Sequence, residues 1–129
     1  MTLLQCDNGL LALKYSSVSD PKFRPREYMV DPAGFGRVES SKFLEPSGSI
    51  EDAVRIRASK WQHTFAYLTR DLMRAKRLNQ KDLAARSHMS YDRVSRVLRG
   101  DVLLRLEDMA AFERVLGEDF VPWVLRPMF

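Results

Sequence analysis

Between Val54 and Leu72 the apolar side chains Val54, Ala58, Trp61, Phe65, Leu68 and Leu72 recur at spacings of 4, 3, 4, 3 and 4. This is the period of a helix with one apolar stripe. Ser49 with Asp52 makes a capping box at its start. The spacing predicts one helix from about Ile50 to Arg77, ~40 Å long at 1.5 Å per residue, unless a break near Ser59 divides it. Leu78 then reads as a core plug before two shorter helices. Asn79 caps the first of these, with Asp82 completing a second capping box, and Leu83 and Ala84 give it a small apolar face. Ala84 and Ala85 are small enough to let a neighbouring helix approach closely. Ser90 caps the second, in which Val94, Val97 and Leu98 fall at i, i+3 and i+4. Gly100 ends it as a C′ residue. A last helix is expected from Leu106 to Leu116, with Leu106, Met109, Ala110, Glu113 and Leu116 on its main face, Phe112 widening that face, and Gly117 ending it.

The N-terminal third has no such period. Leu3–Cys6 and Leu10–Tyr15 flank Asp7-Asn8-Gly9, a strong hairpin signal, although the second arm suits a helical turn equally well. In the following Ser-, Pro- and Gly-rich stretch, Asp31-Pro32-Ala33-Gly34 is a turn that short strands at Glu27–Val30 and Phe35–Val38 would flank. Ser47-Gly48-Ser49 marks a break. The pattern therefore predicts a small strand-and-loop arm over 1–48 and a helical domain over 49–129. The fold class is mainly α. The closing segment 118–129, with Phe120, Val121, Trp123, Val124, Leu125, Met128 and Phe129, is too apolar to be left in water and must cover the core or form a subunit interface.

With 129 residues and 45% hydrophobic content, the chain suffices for one ordinary core. A single Cys excludes an internal disulfide framework. No apolar run approaches the ~20 residues a membrane span requires, and the N-terminus lacks the basic and apolar regions of a signal peptide, so a cytoplasmic protein is expected. Charge is more telling when divided. Residues 1–59 carry eight basic and eight acidic side chains, whereas 60–129 carry thirteen against nine, the whole excess of +4. From Arg74 to Arg99 the count is eight basic against two acidic, a local +6 centred on the two short helices. A basic run alone is usually a solvated surface. One coinciding with two short capped helices is the electrostatic footprint of a nucleic-acid binder.

Gln80, Leu83-Ala84, Ser90, Val94-Ser95, Val97 and Gly100 together resemble the Cro/C1-type (XRE-like) helix-turn-helix family. The motif occupies 79–100, and the resemblance extends over roughly Trp61 to Gly117. His88 stands where that family usually has Gly in the turn, Ser87 replaces an apolar residue before it, and Leu98 replaces a frequent Glu. His is among the residues that tolerate positive φ. Arg105 stands where a Ser or Thr cap is usual, which weakens the start of the last helix. The resemblance implies a five-helix domain and a sequence-specific regulator of transcription, expected to repress, in a bacterium or phage. Double-stranded DNA would be its partner. Base-reading positions on helix 91–99 would be Tyr91, Asp92, Arg93, Ser95 and Arg96, with Asp92 either accepting from a cytosine or orienting Arg96 through an i,i+4 pair. Phosphate contacts would come from Arg77, Gln80, Lys81, Ser90 and Arg99. A homodimer, through the tail 118–129 or the helix 50–77, would present two such helices to a pseudo-palindrome.

Other chemistry finds little support. Cys6, His63 and His88 form no zinc-ligand spacing. Glu51-Asp52 and Glu107-Asp108 read as helix N-terminal charges, and His63 as a surface or second-layer residue. No enzyme, metal or cofactor is expected. Arg24-Pro25-Arg26 reads as an exposed linker or as a basic arm for a minor groove. The alternative function is an antitoxin or protein-interaction module whose N-terminal arm binds a partner protein.

Overall fold

The computed structural model describes residues 23–39 and 41–117 of the chain. Four α-helices lie among them: α1 (Ile50–Ala75), α2 (Gln80–Ser87), α3 (Tyr91–Arg99) and α4 (Leu106–Leu116). The Leu3–Tyr15 hairpin and the tail 118–129 lie outside the described residues, among which the expected fifth helix is not found. No helix among the described residues is long and apolar enough to cross a membrane.

Each helix begins and ends where local chemistry directs. Unbroken through Ser59, α1 starts at Ser49, whose Oγ accepts from the Asp52 N–H at 3.0 Å. Asn79 and Asp82 exchange both bonds of a capping box at α2, 2.8 and 3.0 Å long. His88 takes the left-handed conformation at φ 56°, ψ 39°, one that His tolerates better than most residues with a side chain. Its neighbour Met89 donates back to the Ala84 carbonyl, so the end of α2 is sealed before α3 begins. Ser90 caps α3, and Gly100 closes it at φ 75°.

Leu83, Val94, Val97 and Leu98 are buried at 2% exposure or less. With Phe65, Met73, Met109, Phe112 and Leu116 they form one core, against which Leu78 packs as expected. Met29 and Phe35, from the stretch before the helices, belong to this same core.

That stretch differs from its predicted strands. Pro25–Tyr28 and Pro32–Gly34 are 3-10 turns, each with Pro at its start, where a fixed φ and a missing N–H suit a helical turn better than a ladder. The turn at Asp31–Gly34 is in place, closed by the Gly34 N–H donating to the Asp31 carbonyl. The extended pairing near it uses a different partner. Met29 bridges antiparallel to Phe43, with Val30 donating to Lys42 and Leu44 to Tyr28, while Phe35 turns inward.

The buried face of α1 is also rotated from the apolar stripe. Val54 and Trp61 are 58% and 65% exposed, and the residues turned inward are Ile56, Ser59, Gln62, His63, Phe65, Ala66, Thr69 and Met73. Polar side chains are buried here because irregular backbone lies against them and supplies their partners. In α4 the inward residues are Asp108, Met109, Phe112 and Leu116, while Leu106 and Ala110 face solvent.

His63 is accordingly a core residue rather than a surface one. Its Nδ1 accepts from the Gly36 N–H at 2.8 Å, its Nε2 lies 3.2 Å from Ser41 Oγ, and the rings of Phe35 and Phe43 meet it edge-on. Burial pushes the imidazole below its ordinary 6.5. The folded chain therefore binds this proton less readily than the unfolded chain. The resulting stability is complete above pH 6.5 and lost as pH falls below it. Urea unfolding should give a lower midpoint at pH 5.5 than at pH 7.5, and His63→Gln should narrow that difference; an unchanged difference would place the titration elsewhere.

Candidate nucleic-acid interface

With Val94, Val97 and Leu98 turned into the core, α3 presents its opposite side to solvent. Tyr91, Asp92, Arg96 and Arg99 are exposed there, at 0°, 100°, 140° and 80° around the axis for ~100° per residue. Asp92 meets Arg96 through an i,i+4 ion pair at 3.1 Å, which fixes the direction of that guanidinium.

Two residues expected on the open face are engaged elsewhere. Ser95 is only 9% exposed, and its Oγ accepts from Arg99 at 3.1 Å, so the longer side chain lies across it. Arg93 turns toward α4, where it donates to the buried carboxylate of Asp108 and, at 3.0 Å, to the Leu103 carbonyl. Asp108 also accepts from the Arg105 N–H at 2.8 Å, which compensates at this helix start for the absent Ser or Thr cap. Breaking that pair leaves a part-buried charge without its partner. Asp108→Asn should lower stability by roughly 2 kcal/mol in chemical denaturation, and a loss below 0.5 kcal/mol would mean the pair is only peripheral.

The expected phosphate contacts lie at helix ends. Arg77 is exposed just past α1 at φ 56°, Gln80 is half-exposed at the first position of α2, and Lys81 is exposed beside it. Ser90 is exposed at the start of α3, its Oγ occupied by the Arg93 N–H. The structure thus brings Asp92 to Arg96 and Arg99 to Ser95, and holds Arg93 away from them.

Two residues that periodicity overlooked hold the interface in place. Gln62, buried on α1, donates to the carbonyls of Val97 and Val102 at 3.0 and 2.8 Å and accepts from the Leu104 N–H at 2.8 Å. It ties the last turn of α3 to the linker that follows. Asp101 gathers three arginines: Arg24 at 2.8 Å, Arg26 at 3.1 Å and Arg99 at 2.9 Å. Burial would raise its carboxyl, but those hydrogen bonds outweigh burial and hold it at about 2. Arg24-Pro25-Arg26 is therefore neither a linker nor a loose arm. Pro25 is buried, and the Arg26 N–H donates to the Gly100 carbonyl at 3.0 Å, docking the segment on the end of α3. A signal was present in the sequence, namely an Asp directly after a helix-ending Gly, but nothing in the spacing names its partners.

Residues 70–123, a little under half of the chain, match a family described as helix-turn-helix, so this segment is similar to the Cro/C1-type (XRE-like) domains of DNA-binding regulators. No curated protein and no solved structure matches the chain.

Proposed function

We propose that this chain is a sequence-specific transcriptional regulator, acting as a repressor, that reads the major groove of double-stranded DNA with α3. The observation that carries the reading is the exposed face of Tyr91, Asp92, Arg96 and Arg99 on a helix whose remaining sides are committed to the core, Gln62 and Asp108. Arg96, oriented by Asp92, grips a guanine through O6 and N7, and Tyr91 packs on a thymine methyl or bonds a phosphate. Arg93 and Ser95 act as positioning residues, the first by fixing α3 on α4 and the second by seating Arg99. Arg77, Gln80, Lys81, Ser90 and Arg99 contact phosphates. The parts 1–48 and 49–129 share this work, the helical part carrying the DNA contacts.

A homodimer would place two copies of α3 about one helical turn apart. Exposed Ile50, Val54 and Trp61 support a seam along α1, with the tail 118–129 as the other candidate. A protein partner on the N-terminal arm, as in an antitoxin, is the competing reading.

Selection of random duplexes by the full chain at two salt concentrations tests the proposal. A symmetric enriched motif supports a dimeric regulator, whereas no binding at either salt removes the DNA reading and favours the protein partner. Within a selected motif, Arg96→Ala should relax the preference at one base pair by about 1–3 kcal/mol. Lys81→Ala should weaken all sequences alike and lower the salt slope by about one. Identical behaviour of the two variants would refute this docking.

A further inference from the structure

We propose that Arg70, with Arg37 and Arg99, forms a seat for a backbone phosphodiester at the carboxyl end of α3, separate from the contacts at the helix N-termini. The proposal rests on the DNA reading above and extends the protein's footprint onto α1 and the segment before it.

Arg70 leaves α1 half-buried and lies over Gly36. A Cβ placed on Gly36 would stand 3.5 Å from the Arg70 Nε and 2.9 Å from the Leu98 carbonyl oxygen. Arg37 follows Gly36 in the chain and Arg99 follows Leu98, and both are near enough for their charges to act on the guanidinium. Arg74 stands one turn further along α1. Three neighbouring carboxylates pair with other arginines: Asp101 with Arg24, Arg26 and Arg99, Asp71 with Arg74, and Glu27 with Arg24. None of the ion pairs among the described residues includes Arg70. Its Nε is buried without a hydrogen-bond partner, and among the described residues the one hydrogen bond of the side chain is a long one of 3.5 Å from Nη2 to the Leu98 carbonyl.

A cation in this position is costly to the free protein. Desolvation disfavours it, and then Arg37, Arg99 and Arg74 add repulsion, so its pKa falls to about 10. One stretched hydrogen bond to a helix-end carbonyl does not offset burying a charge. A dianion or phosphodiester between Arg70, Arg37 and Arg99 would supply the missing counter-charge through charge-assisted bonds. Arg99 also connects the seat to the reading face, since it borders Arg96 and covers Ser95. The position suits a phosphate flanking the base step read by α3.

A structural role and a phosphate-binding role predict opposite signs. If Arg70 exists to cap α3, its removal destabilises the protein. If it exists for an anion, neutralising it stabilises the free protein and weakens binding. Thermal unfolding of the full chain and of Arg70→Met is measured in dilute chloride buffer, with and without millimolar inorganic phosphate. Duplex affinity is then measured across a salt series for both, and for Arg37→Ala, whose exposed position leaves the core untouched. Expected are a Tm raised by roughly 2–5 °C in Arg70→Met, a phosphate-induced rise in the wild type that the variant lacks, and a salt slope lowered by about one in each variant. A lower Tm in Arg70→Met with wild-type salt slopes would overturn the seat. If the wild type binds no duplex while phosphate still raises its Tm, the DNA reading fails, and the phosphodiester assignment falls with it although an anion is bound. If the wild type binds duplex and Arg70→Met binds it with the same slope, the seat fails and the DNA reading stands.

Discussion

Gln62→Leu should lower the unfolding free energy by about 3 kcal/mol. Leucine fills the space but leaves the Val97 and Val102 carbonyls and the Leu104 N–H without their partner. Each buried backbone group left unpaired costs about 1–3 kcal/mol, and partial hydration of the linker reduces the sum. The loss should also reach the reading face, because the amide joins the last turn of α3 to the residues that lead into α4. Duplex affinity is expected to fall further than Tm alone accounts for at a temperature where the variant is still folded. A urea midpoint within 0.5 kcal/mol of wild type would show that water replaces the amide at no cost.

The second large effect is at Gly100. Its φ of 75° is unfavourable for most residues with a side chain, Ala among them, and a Cβ there would stand 2.8 Å from the Phe35 ring. Phe35 is 2% exposed and packed in the core, so it has little room to retreat. Gly100→Ala should therefore cost about 3 kcal/mol, from backbone strain and overpacking together. Gly48→Ala is the control. It too has positive φ, at 104°, but nothing lies within 4 Å of the added Cβ, and about 1 kcal/mol is expected. Equal losses at the two positions would mean that the Phe35 contact contributes nothing.

What could be read in the sequence was what is decided within a few residues. The caps at Ser49, Asn79 and Ser90, the left-handed His88 and Gly100, and the Val94, Val97, Leu98 stripe depend on neighbours at most four positions away. The Asp92–Arg96 pair is of the same kind. Illegible were the choices among distant partners. The position of Arg93 on α3 reads as a base contact, whereas its partner in the fold, Asp108, lies 15 positions on. Gln62 and His63 are polar and so fell outside an apolar period, yet backbone groups 27 to 42 positions away make them core residues. The true face of α1 was hidden for that reason, and Trp61, the largest apolar residue in its period, pointed the wrong way. Prolines 25 and 32 did indicate turns, but which surface those turns would meet was not a local matter.

The docking of the segment around Arg26 on Asp101 spans 75 positions of sequence. During synthesis this segment emerges long before the helix end that receives it, and its bonds to Gly100 and Asp101 cannot form until α3 has closed. Closing a loop of this length costs more chain entropy than pairing neighbouring helices, so the bonds to Asp101 are expected to form late. The earliest compact species of this chain would thus have a finished helix-turn-helix, with Arg99 and Asp101 not yet bound to Arg24 and Arg26, so the reading helix takes shape before the brace at its far end is fitted.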